Sequence, residues 1–134
     1  MTLLRRKRLP DRLLVCHRAF LGVRQEVDDA KSVLAQAAPT TRMAGRPLVD
    51  VLAEYEEHLG HARAGMQAWR APELAAEWDS CRRALDRAAS LGERVRMEAE
   101  APAGFEALIG VLDALSAPLE VFDDTEQAFR ALRA

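Results

Sequence analysis

Residues 11–38 read DRLLVCHRAFLGVRQEVDDAKSVLAQAA. Within them Leu13, Cys16, Phe20, Val23, Val27, Ala30, Leu34 and Ala37 recur at steps of three and four, and every one is apolar. Such steps follow one face of a helix with 3.6 residues per turn, whereas a half-buried strand alternates by two. The stretch predicts one long amphipathic helix over 11–38, with Asp11 as its N-cap and Pro39 as its stop. At ~1.5 Å per residue it spans on the order of 40 Å.

The same pattern returns three times. Leu48, Leu52, Tyr55, Leu59, Ala62, Met66 and Trp69 form a second seam, which predicts a helix over 47–70 with Pro47 in its first turn. Leu74, Trp78, Cys81, Leu85, Ala88, Leu91 or Gly92, and Val95 form a third, over 73–100. The phase slips by one residue around Pro72, which points to a tight turn between helices, flanked by Trp69 and Trp78. Phe105, Leu108, Leu112, Leu115, Leu119, Phe122 and Phe129 form the fourth, over 104–132, kinked or broken at Pro118. Four segments of similar length with short connections pack most simply as an antiparallel up-down four-helix bundle. A helical-hairpin dimer with coiled-coil-like packing is the alternative. The expected organisation is a flexible basic arm over 1–10 and a single bundle domain over 11–134.

Composition agrees with this class. The 134 residues are 49% hydrophobic and 30% charged, an ordinary globular mix for one domain. Only 5% are aromatic, which argues against a β-sandwich or barrel. Cys16 and Cys81 are far apart and each falls on an apolar seam, so two buried free thiols are expected rather than a disulfide framework. Arg5-Arg6 followed by apolar residues imitates a targeting leader, but Arg12, His17, Arg18, Arg24, Glu26, Asp28 and Asp29 interrupt the apolar stretch. No stretch approaches the ~20 apolar residues of a transmembrane helix. A cytoplasmic protein is the expectation.

Charge is unevenly placed although the net charge is only -2. Arg5, Arg6, Lys7 and Arg8 form a basic arm, and from Met97 to Phe129 there is no Lys or Arg. Glu120, Asp123, Asp124 and Glu126 make that last segment an acidic face. The arm could dock on this face in the same chain, in a second copy or in another protein. Four basic residues neutralise few phosphates, and no aromatics are interleaved to stack bases, which speaks against nucleic acid.

One cluster has metal-ligating residue types: Glu54, Glu57, His58 and His61. Glu54–His58 and Glu57–His61 are pairs four residues apart, so each shares a helix face. The set lacks the Glu-x-x-His of di-iron bundles, and at ~100° per residue Glu54, Glu57 and His61 point toward solvent, with His58 nearer the seam's edge. That leaves a surface Zn²⁺ or Ni²⁺ site rather than a buried centre. No nucleophile elbow, phosphate loop, Cys-x-x-Cys pair or EF-hand loop is present, so no catalytic residue and no cofactor are assigned. The expected function is a non-enzymatic helical interaction, scaffold or accessory protein that self-associates or binds another protein, with no small-molecule substrate evident. The alternatives are a metal-binding bundle using the Glu54–His61 cluster, and a nucleic-acid or anionic-surface binder using the arm.

Overall fold

A computed structural model describes residues 9–98 and 102–132. Its α-helices are α1 (Asp11–Ala35), α2 (Leu48–Ala64), α3 (Ala75–Met97), α4 (Phe105–Ser116) and α5 (Val121–Ala131). Turns of 3₁₀ helix lie at Met66–Trp69, Pro72–Leu74 and Ala117–Glu120. There is no strand among the described residues. The last 3₁₀ turn joins α4 directly to α5, so the two form a fourth rod and the chain is an all-α bundle.

Each rod runs opposite to the next, as the facing residues show. Between α1 and α2, Glu26 meets His58 while Gly65 lies against Val23. Between α2 and α3, Arg63 pairs with Asp86 and Arg96 with Glu56. Cys81 of α3 meets Thr125 of α5, and His17 and Arg24 of α1 meet Glu126 and Asp123 of α5. The fourth rod thus returns to the first and closes one core within a single chain.

All eight apolar positions of the first seam are buried. So are Leu52, Tyr55, Leu59, Ala62, Met66 and Trp69 of the second. Phe20 organises the centre: its ring lies 5.0 Å from Trp69 edge-on, 5.1 Å from Phe129 and 6.2 Å from Phe122, centroid to centroid. Offset and edge-to-face pairs at these distances add about 0.5–1.5 kcal/mol each beyond the area they bury. Trp69 and Trp78 do flank the turn at Pro72. Trp69 is fully buried, whereas Trp78 is half-buried, donates its indole N–H to the Met66 carbonyl at 2.8 Å and carries the Arg70 guanidinium 4.5 Å above its ring. Cys16 and Cys81 are both buried and unpaired.

Several boundaries move inward from their expected places. Pro10, not Asp11, is the N-cap of α1, because its carbonyl already accepts the Leu14 N–H at 2.9 Å. α1 ends at Ala35, well before Pro39, because the chain folds back and the Arg46 N–H donates to the Gln36 carbonyl at 2.8 Å. Pro47 is the N-cap of α2 rather than part of its first turn. α2 stops at Ala64, and the chain tightens into the 3₁₀ turn that seats Trp69. α4 starts after Gly104, whose φ of 91° suits glycine. Its seam begins later than expected, since Phe105 is 57% exposed.

Pro118 breaks the fourth rod without ending it. Proline lacks an N–H and crowds the carbonyl one turn back, and here the chain takes 3₁₀ geometry over Ala117–Glu120. Beside this turn the buried Tyr55 hydroxyl donates to the Leu115 carbonyl at 2.7 Å, tying α2 to the end of α4.

Candidate functional site

The four residues proposed from sequence as metal ligands separate in the structure. Glu54 is committed to Arg46, which reaches it with two hydrogen bonds of 2.6 and 3.1 Å. That guanidinium holds the Glu54 carboxyl below its ordinary range. Glu57 is exposed and joins no ligand group. His58 and His61 do converge, on a residue the sequence pattern did not single out. The Nδ1 of His58 lies 2.8 Å from Oε2 of Glu26, and the Nδ1 of His61 lies 3.5 Å from the same oxygen. The two imidazole rings stand nearly perpendicular, 6.4 Å apart. Side-chain exposure rises from His58 (29%) through Glu26 (32%) to His61 (57%), so the group sits on the flank of the α1–α2 pair.

This convergence has a simple origin. His58 and His61 are three apart on α2, so they share a face. Glu26 lies beside the buried Val27 on α1, and the antiparallel docking brings it opposite them.

The acidic face divides as well. Glu120 and Asp124 are exposed, and Asp123 is paired with Arg24 at 2.6 Å. Glu126 turns inward instead: it is 5% exposed and lies 3.0 Å from Nε2 of His17, whose ring packs 4.9 Å from Phe129. A carboxylate beside the apolar seam is tolerated because a partner across the α1–α5 contact meets it. The arm residues Arg5, Arg6, Lys7 and Arg8 lie outside the described residues.

A different surface is apolar. Two adjoining clefts occur at the end of the bundle where α2 begins, α3 ends and α4 begins. They share Leu48 and Pro102. Val49 and Val95 line one and Phe105 and Leu108 line the other. Val49, Met97 and Phe105 are 62%, 73% and 57% exposed. Arg96 and Glu98 give the rim both signs of charge. Sequence reasoning missed this surface because it assigned Phe105 to the core seam. Val49 and Met97 carried a signal, as large apolar residues outside the seam pattern.

No described helix is long and apolar enough to cross a membrane. Comparison with protein-family models, with curated proteins and with solved structures gives no match.

Proposed function

We propose that this chain is a non-enzymatic helical interaction module that pairs with a second copy of itself through the end bearing Val49, Met97 and Phe105. The observation that carries this is that Val49 and Phe105, each more than half exposed, line two adjoining clefts, with the exposed Met97 at the nearby end of α3. Large exposed apolar patches with polar rims mark contact surfaces. A two-fold pairing requires a surface that complements itself. Arg96, which also meets Glu56, and Glu98 put both signs of charge on one rim, an arrangement compatible with such a pairing. A standard interface takes about 800 Å² per partner. That is close to a tenth of the 8603 Å² surface of this chain. A cytoplasmic address fits this reading, with Cys16 and Cys81 both unpaired.

Sedimentation velocity of the untagged chain over a range of concentrations tests the proposal. The expected result is a concentration-dependent dimer that Val49→Glu with Phe105→Glu converts to a monomer of unchanged helicity. A wild-type chain that stays monomeric throughout overturns it.

A further inference from the structure

We propose that Glu26, His58 and His61 form a site for a divalent transition-metal ion that joins α1 to α2, with Zn²⁺ as the ion the donor set suits best. It shares no residue with the apolar end and stands independently of the pairing proposed there.

The donor atoms are already gathered. One ligand atom from each residue lies within 4.8 Å of the other two. Zn²⁺ takes nitrogen and carboxylate oxygen at ~2.0–2.2 Å, which at tetrahedral angles separates neighbouring ligand atoms by ~3.3 Å. The 3.5 Å between His61 Nδ1 and Glu26 Oε2 is near that spacing. The 2.8 Å between His58 Nδ1 and the same oxygen is a hydrogen bond that would open by a fraction of an ångström. Two imidazoles and one carboxylate leave a fourth position, and the exposure of His61 lets water fill it.

The bonding of Glu26 distinguishes it from the acids held by arginine, Glu126 among them, which meets Arg130 as well as His17. Glu54, Glu56, Glu73, Asp79, Asp86 and Asp123 each meet an arginine, which keeps its charge and cannot give way to a cation. Among the described residues, the ion-pair partners of Glu26 are His58 and His61 alone. A neutral imidazole is a ligand, so here the partners of the carboxylate are themselves donors to a metal. Two nitrogen donors favour a first-row transition metal over Mg²⁺ or Ca²⁺, which prefer all-oxygen sites.

The test is a Zn²⁺ titration of the untagged full chain after chelator treatment, followed by calorimetry and by thermal melting. One equivalent of Zn²⁺ per chain is expected, with a rise in Tm because the ion binds the folded pair of helices. Co²⁺ in its place should show the visible bands of a tetrahedral site, and Mg²⁺ should leave Tm unchanged. Loss of a residue that merely orients a ligand weakens metal binding by about 10–100-fold. Removing a ligand outright through Glu26→Gln or His61→Ala should therefore cost roughly 100-fold or more, while Glu57→Gln should leave affinity unchanged. The exposure of His61 makes His61→Ala safe for folding, which circular dichroism of the metal-free variant checks. The proposal is overturned if the wild type takes up no stoichiometric Zn²⁺, if Mg²⁺ raises Tm equally, or if uptake survives Glu26→Gln.

Discussion

Gly60 and Gly65 call for opposite responses to the same substitution. Gly60 lies inside α2, and a Cβ built on it meets nothing within 4 Å. Gly60→Ala should therefore stabilise the fold by about 0.5–1 kcal/mol through helix propensity alone. Gly65 caps the same helix, and its Cβ would stand 2.7 Å from Cγ2 of Val23 on α1. Val23 is 3% exposed and β-branched, so it has no free rotamer into which to retreat. Gly65→Ala should cost about 1–3 kcal/mol by overpacking. Urea denaturation of both variants gives the comparison, and combining Gly65→Ala with Val23→Ala should reduce the cost of the glycine change. Equal effects at the two glycines would contradict the close approach of α1 and α2. At the same scale, Tyr55→Phe keeps the ring but leaves the Leu115 carbonyl without its hydroxyl donor. A loss of about 1–2 kcal/mol in thermal or urea unfolding is expected.

At the scale of elements, α5 shows why one of its acids should matter and another should not. Glu126 is buried against His17, and Asp123 is paired with Arg24 at the surface. Glu126→Ala should cost about 1.5–3 kcal/mol by leaving His17 without its partner. Asp123→Asn should cost about 0–1 kcal/mol, as exposed pairs do. Hydrogen exchange over residues 121–131 reads both, because loss of the Glu126 contact should open α5 ahead of α1–α3. The helices themselves were legible in the sequence, because a period of three and four is a local property of each segment. Their ends were less so: the backbone bond from Arg46 to Gln36 that closes the first loop is set by the fold of residues 36–46, not by Pro39. Glu26 was not legible at all. In an antiparallel pair the numbers of facing residues add to a nearly constant value. Knowing only that Gln36 meets Arg46 places 26 opposite about 56, within a turn of His58 and not on it, and the final register comes from packing across the loop. The inward turn of Glu126 was not legible for a related reason, since a helical pattern marks the buried side without showing that a carboxylate at its edge will find a histidine on another rod.

For the whole molecule, one core shared by four rods makes stability depend on groups that must stay uncharged inside it. Cys81 is fully buried. Burial pushes its thiol up to about 11 from an ordinary 9.0, against a smaller opposing effect of the Thr125 hydroxyl. Burial raises the Tyr55 hydroxyl in the same direction. Both groups therefore keep protons in the folded chain that the unfolded chain releases once pH passes their ordinary values. Between those values and the raised ones the native state binds more protons, so stability must fall as pH rises. The Cys81 contribution is present in full below about 9 and is lost by about 11. A tenfold change in proton affinity is worth ~1.4 kcal/mol, so this contribution is on the order of 3 kcal/mol. Cys81→Ala removes the ionising group while leaving a small apolar side chain, so its urea midpoint should fall less steeply than that of the wild type between neutral and strongly alkaline pH. Tyr55→Phe should flatten the curve further, and at the higher end of the range, because a tyrosine ionises later than a thiol. Parallel curves for the wild type and Cys81→Ala would mean that the thiol reaches water before the chain unfolds, which is incompatible with a core that closes around α3 and α5.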